Sequence, residues 1–344
     1  MKPETQQNLE SAKLFPVQTR RRSNLHNSLP KAEILKARIP ILWELMRSCT
    51  LCPRECRVNR IEGEMGFCGL GPDAVLARAV PHFGEEPPIS GTAGAGTLFF
   101  TSCNLQCPFC QNYQISRERM GEAIDREALA GRMLELALTG CNNIELVTPT
   151  PQWPAVSESL LAACEWGMNL PIVCNCGGYE KQDVIRLLDG IVDVWLPDFK
   201  YGTEKDALDC SAPADYSKQA LESIGEMIRQ AGERLETMGG IARRGVIIRH
   251  LVMPGRIQNS MSVVRLIASH LSKKVPLSLM SQYTPTPAVM DDPLMGRRVS
   301  REEYEAVVDL ALDLEFENLF LQEVDEINLA PDFEKAEPFH WQET

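Results

Sequence analysis

Seven of the chain's twelve cysteines fall in two tight groups, and both groups have the spacing of metal ligands. Cys49, Cys52, Cys56 and Cys68 form C-x2-C-x3-C-x11-C. Cys103, Cys107 and Cys110 form C-x3-C-x2-C. Four thiolates can complete a closed site for zinc or for an iron–sulfur cluster, and spacing alone does not separate the two. Three thiolates within a short loop wrap one face of a cluster and leave one iron open to another molecule. An open metal position is the mark of a catalytic site. Of the other cysteines, Cys141, Cys164 and Cys210 read as small buried hydrophobes. Cys176 reads as a small core residue or as a reactive thiol near the chemistry.

Elements of regular structure must hold these loops. From Gly96 onward, short apolar runs alternate with helical segments. Strands are expected at residues 97–100, 143–147, 171–174, 192–196, 246–252, 276–280 and 319–321. Helices are expected at 125–138, 155–166, 181–188, 217–231, 260–271 and 301–314, the first capped by Asp125 and ended by Gly140. Repeated strand–helix units imply an α/β fold with a parallel sheet, here a partial (β/α)6-type barrel. Chemistry in such a fold sits at the C-terminal ends of the strands. The polar groups follow those ends: Cys103 after the first strand, Thr148 and Thr150 after the second, Asn175 and Cys176 after the third. Asp198 and Lys200 follow the fourth, and Gln282 and Tyr283 follow the sixth. The four-cysteine group precedes the barrel, as an N-terminal cysteine-rich metal-binding module behind a helix at residues 31–47 that Pro40 interrupts.

Composition sets the outer bounds. The chain has 344 residues, 44% of them hydrophobic and 24% charged, which is globular and excludes wholesale disorder. A net charge of −12 argues against nonspecific nucleic-acid binding. No apolar run reaches the roughly 18 residues of a membrane helix. Reduced thiols and the absence of an apolar leader point to the cytoplasm. The expected organisation is a flexible basic leader over 1–30, a helix and tetracysteine module over 31–95, the barrel over 96–330 and a tail over 331–344, with no long C-terminal cap. Glu85-Glu86 reads as an exposed acidic turn, and His250 as a satisfied core or rim histidine. The Gly-rich run 91–96 lacks the Lys-Ser/Thr of a phosphate loop and reads as a flexible lead into the first strand.

The loop Thr101-Ser102-Cys103-Asn104-Leu105-Gln106-Cys107-Pro108-Phe109-Cys110-Gln111-Asn112 resembles the signature of the radical S-adenosylmethionine (SAM) superfamily. Cys110-Gln111-Asn112 is similar to the activating enzymes of glycyl radical enzymes. More closely, the chain resembles the PflX-type, pyruvate formate-lyase-activating-enzyme-like proteins. That resemblance spans roughly residues 45–330 and is carried by Cys52-Pro53-Arg54, Val58-Asn59-Arg60, Gly84-Glu85-Glu86-Pro87-Pro88, Trp195-Leu196-Pro197-Asp198-Phe199-Lys200-Tyr201, Arg249-His250-Leu251-Val252-Met253-Pro254-Gly255 and Met280-Ser281-Gln282-Tyr283.

The resemblance implies a [4Fe-4S] cluster on Cys103, Cys107 and Cys110, with SAM chelated by the fourth iron and cleaved by one electron to methionine and a 5′-deoxyadenosyl radical. Phe109 would pack near the adenine. Asp198 and Lys200 match the Asp-x-Lys that contacts the ribose and carboxylate of SAM. The sequence departs from the activating enzymes at three places. Val147-Thr148-Pro149-Thr150-Pro151 stands where they carry Gly-Gly-Glu, Asn175-Cys176-Gly177-Gly178 where they carry Asp-Thr-Asn-Gly, and Tyr283 where they carry a His. The expected partners are SAM, an electron donor such as flavodoxin or ferredoxin, and a substrate. That substrate is either a glycyl radical enzyme, or a small molecule or other protein. A non-catalytic iron–sulfur regulator is the reading from another class.

Overall fold

The computed structural model describes residues 30–210, 212–324 and 330–339. The expected basic leader lies outside them except for Pro30. The elements begin with α1 (Lys31–Glu44), β1 (Ala74–His82), α2 (Pro87–Ser90), β2 (Ala95–Phe100), α3 (Tyr113–Ser116), β3 (Glu122–Ile124) and α4 (Arg126–Leu138). They continue with β4 (Ile144–Val147), α5 (Trp153–Glu165), β5 (Ile172–Cys176), α6 (Gln182–Leu187), β6 (Val194–Pro197), α7 (Glu204–Asp209) and α8 (Tyr216–Ala231). The last are β7 (Glu236–Met238), β8 (Ile241–Val246), β9 (Ile248–Leu251), α9 (Ile257–His270), β10 (Leu277–Met280), α10 (Arg301–Asp313) and β11 (Leu319–Leu321).

The strands form a mixed, parallel-dominated α/β fold. One sheet runs β3-β1-β2-β4-β5-β6-β8-β7, and a second runs β11-β10-β9. The pairs from β2 through β8 are parallel, as are both pairs of the second sheet. Every residue of β2, β4 and β6 is buried, as strands covered on both faces require. Helix starts follow local chemistry. Asp125 accepts from Ala128 N at 2.7 Å, and Ser300 with Glu303 closes a capping box on α10. Pro40 sits inside α1 without ending it, and Leu35, Ile39 and Leu42 bury that helix's inner face.

Two features depart from the sequence reading. β1 was not expected, because Ala and Arg dilute its apolar alternation and Pro81 reads as a breaker. It pairs antiparallel with β2. The expected strand 246–252 is two strands. β8 pairs with β6, β9 pairs with β10, and Ile247 lies between them. A single bridge, Asp198 to Arg249, joins β6 to β9 where the two sheets meet. No helix among the described residues is long and apolar enough to cross a membrane.

Candidate functional site

β2, β4, β5, β6, β9 and β10 deliver their C-terminal ends to one cavity of about 220 Å³. Cys103, Cys107 and Cys110 line it, and so do Phe109, Thr148, Asn175, Asp198, Lys200 and Gln282. The convergence expected from strand order is therefore present for these residues. Thr150 and Tyr283 do not line it. Thr150 is buried and donates to Glu180 Oε1 at 2.9 Å. Tyr283 is buried and donates to the carbonyl of Met295 at 2.8 Å, while its ring packs 6.3 Å from that of Phe109. Both are one layer behind the lining.

The three-cysteine loop is held from several sides. Ser102 and Gln106 adopt left-handed backbone (φ 69° and 54°), which bends the chain around the thiols. Leu105 N donates to Cys103 Sγ at 3.3 Å, and the Tyr201 hydroxyl lies 3.4 Å from Cys107 Sγ. Thr286 Oγ1 donates to the carbonyl of Pro108 at 2.6 Å. Burial pushes the Cys103 thiol up to about 12 and raises Cys107 as well, although Lys200 and Tyr201 pull Cys107 down. Metal binding would expel these protons.

Beside the thiols stands an ion pair. Lys200 Nζ contacts Asp198 Oδ2. Burial works against the ammonium, but Asp198 and Cys107 hold it above the usual lysine range. The stretch that carries the pair is knotted in place. The Tyr216 hydroxyl accepts from Lys200 N at 2.8 Å and lies 2.8 Å from the carbonyl of Gly177 and 3.0 Å from that of Asp198. Asn259 accepts from Gly202 N at 2.8 Å and donates to the Lys200 carbonyl at 2.9 Å. Gly178 has φ +78°, and a Cβ there would lie 2.1 Å from the Asp198 carbonyl oxygen, so only glycine fits.

His250 belongs to the same support. Its Nδ1 lies 2.6 Å from the Phe199 carbonyl, which can only accept, so Nδ1 carries the proton. Nε2 then accepts from Ser260 Oγ at 2.8 Å. Burial lowers its pKa to about 4, so the ring is neutral and both nitrogens are engaged. This is the satisfied histidine expected from the sequence.

The far end of the cavity holds charges that sequence reasoning misplaced. Glu85 and Glu86 are not an exposed turn, for their side chains are 6% and 5% exposed. Arg249 reaches Glu85 Oε2 at 2.8 Å and Glu86 Oε1 at 3.0 Å, and His82 Nε2 lies 3.4 Å from Glu85 Oε1. Burial opposes the charge on Glu85, yet Arg249 and His82 hold it ionised, at about 2. Its neighbour Glu145 is fully buried. Burial and the Glu85 charge raise it well above the carboxylate range, so it keeps its proton. Glu145 accepts from Asn175 Nδ2 at 3.0 Å and from Thr97 Oγ1 at 2.8 Å. That fixes the Asn175 amide with its oxygen free to accept. A lone Glu in an apolar strand was the available signal for this residue.

The four-cysteine group forms a separate, smaller cavity of about 20 Å³, lined by Cys49, Cys52, Cys56 and Cys68. Phe67 N donates to Cys56 Sγ at 3.3 Å, and backbone groups of Arg54 and Leu70 bond Cys52 and Cys68. Burial pushes Cys52 up to about 12 and raises Cys68. A Cβ on Gly66 would lie 2.8 Å from Cys56 Cβ. The module is clipped to the other loop. Ser102 Oγ donates to the Cys68 carbonyl at 2.6 Å, Gln106 Nε2 to the Phe67 carbonyl at 3.1 Å, and Arg54 Nε to the Asn104 carbonyl at 2.9 Å. Among the described residues, no three His, Cys, Asp or Glu side chains already stand as a ready-made single-ion site. The donor sets nevertheless fit soft metals, being all thiol, with backbone N–H groups turned toward the sulfurs.

No family model matches the chain. The uncharacterized protein MJ0674 of Methanocaldococcus jannaschii is 29% identical over 290 residues, which cover 82% of this chain and 79% of that protein. Among solved structures, Streptococcus suis SuiB bound to S-adenosylmethionine aligns at a TM-score of 0.42 and 14% identity, over 65% of this chain and 48% of SuiB. SuiB bound to its precursor peptide SuiA aligns at 0.42 and 13%, over 65% and 47%. The chain spans about half the length of the SuiB structures it matches.

Proposed function

We propose that this chain is a radical SAM enzyme, with a [4Fe-4S] cluster on Cys103, Cys107 and Cys110 and SAM beside it. One observation carries the reading: three thiols share a cavity with a half-buried Lys–Asp pair and an oriented asparagine, each from the C-terminal end of a different parallel strand. When bound, the cluster and SAM would supply one-electron reductive cleavage of SAM and hydrogen-atom abstraction from a substrate.

The chain's own residues bind and orient. Lys200 offers a half-buried cation to the SAM carboxylate. Asn175, its nitrogen committed to Glu145, offers a carbonyl oxygen to the SAM ammonium, the task of the carboxylate missing after β4. Asp198 keeps Lys200 charged and accepts from ribose hydroxyls. Phe109, braced by Tyr201 and Tyr283, gives the adenine an apolar wall. Thr148 and Gln282 line the remaining sides, while Thr150 and Tyr283 support from behind. The two sheets around the cavity are read as a partial barrel, and the chain as a cytoplasmic protein served by a flavodoxin- or ferredoxin-type donor. The four-cysteine module is read as a second metal site, zinc or iron–sulfur. The activating-enzyme-like reaction on a glycyl radical enzyme is one form of this chemistry. Radical modification of another protein or of a small molecule is the other.

The test is anaerobic reconstitution, with iron, sulfide and zinc counted per chain, then dithionite, SAM and an assay for 5′-deoxyadenosine. About four irons, zinc and 5′-deoxyadenosine are one expected outcome, and about eight irons without zinc make the second site a cluster. A full, reduced cluster that yields no 5′-deoxyadenosine overturns the enzyme reading in favour of a regulator. Lys200→Ala should weaken SAM binding by about tenfold or more, as loss of a charged hydrogen bond does.

A further inference from the structure

One wall of the cavity comes from outside the parallel strands. Residues 330–339, at the junction of the expected barrel and C-terminal tail, fold back onto it, and Pro331 and Phe339 stand in its lining. Asp332 N donates to the Pro338 carbonyl at 2.9 Å, closing a loop whose tip, residues 334–337, is exposed. Its two feet point inward. Phe333 is 1% exposed and its ring stands 5.4 Å from that of Phe99. The Phe339 ring lies 5.2 Å from Phe99 and 4.5 Å from His82.

The backbone of this loop is gripped by side chains, in the way a bound peptide is. Arg78 Nη2 donates to the Phe333 carbonyl at 2.7 Å and to the Lys335 carbonyl at 3.2 Å. Gln114 accepts from Phe333 N at 2.8 Å and donates to Asp332 Oδ1 at 3.2 Å. Main-chain hydrogen bonds combined with pockets for particular side chains are how proteins read peptides. Arg78, Gln114 and Phe99 have no part in holding the metal or SAM in the reading above.

We propose that residues 330–339 occupy a peptide subsite of this cavity, as an internal stand-in for a substrate segment that presents two aromatic side chains on a tight turn. The tether gives the internal segment a high effective concentration, so the substrate must outcompete it. The inference deepens the radical SAM reading by choosing a peptide or protein over a small molecule. It rests on that reading only for what happens after binding.

The test uses the reconstituted full chain without SAM or reductant, so radical chemistry plays no part in it and its failure leaves the radical reading untouched. A fluorescent peptide with the sequence of residues 330–339 is titrated by anisotropy against the parent chain and against the double variant Phe333→Ala, Phe339→Ala. The vacated subsite should bind the peptide at least about tenfold tighter than the parent does. A peptide with both phenylalanines changed to alanine should lose that binding. A double variant that melts like the parent and does not bind the native peptide overturns the proposal. On the unmodified chain, hydrogen exchange gives a second check that needs no variant. The amides of Asp332 and Phe333 should be protected, and exchange at the free-peptide rate overturns the proposal as well.

Discussion

The two cysteine loops have the same donors and nearly the same backbone devices, but they face different surroundings. Glu55 and Arg57 in one, and Ser102 and Gln106 in the other, hold left-handed backbone at non-glycine positions. Such positions typically cost on the order of 1 kcal/mol each and persist where the surroundings over-determine them. Backbone N–H groups reach sulfurs in both. Yet the four thiols close on a space of about 20 Å³, while the three open onto about 220 Å³ lined by charged and amide side chains. Ligand count and what lies beyond the ligands set the two loops apart. The spacing of the cysteines does not.

That contrast can be broken by parallel substitutions. Cys107→Ala should abolish 5′-deoxyadenosine formation while the fold survives, measured by product assay and circular dichroism; retained turnover would sink the assignment. Cys52→Ala should act chiefly on folding. A structural site lost there should cost on the order of 3 kcal/mol, roughly 4–5 °C in Tm. A stable Cys52→Ala chain with intact iron at the other loop and no turnover would instead make the module an auxiliary cluster.

A smaller effect separates positioning from ligation. Gly178→Ala forces a left-handed alanine against the Asp198 carbonyl. It should cost about 1–2 kcal/mol for the backbone alone, and more for the clash. SAM affinity should fall with it, while iron content stays at the parent level, because no cysteine ligand moves. A variant with parent affinity would show that the Asp198–Lys200 stretch is held by other means.

A last effect is read through pH. Burial raises Glu180 to about 8 from an ordinary value near 4.5, and Thr150 donates to it. Between those two values the unfolded chain gives up a proton that the folded chain keeps. Stability from this group therefore falls as pH rises across that window, by about 1.4 kcal/mol per unit. Glu180→Gln removes the penalty. Its gain in Tm over the parent should be small at pH 5 and larger at pH 8, and a gain independent of pH would refute the neutral carboxyl.

Much of this was legible in the sequence, for reasons that also explain what was not. Cysteine spacing marked both loops because metal ligands sit close together in the chain. Strand ends marked Asn175, Asp198 and Lys200 because a parallel sheet brings successive ends together. Glu145 lies inside a strand, and Glu85 and Glu86 lie in a turn, so no local pattern foretold that the fold would bury them together with Arg249. Thr150 and Tyr283 were misplaced by a layer, since a position after a strand does not say which way a side chain turns. The loop over residues 330–339 was missed altogether, because Phe333 and Phe339 stand in a charged, proline-containing stretch without periodicity.

The Tyr216 hydroxyl ties the segment after β5 to the segment after β6 through one oxygen. Those two segments therefore constrain one another. A designer grafting a new β6 loop onto this scaffold, or a lineage drifting toward a new substrate, cannot alter one independently of the other. Any change in the path of Asp198 must be matched at Gly177 and Gly178, and recombination between them should yield misfits far more often than recombination within the helices that follow.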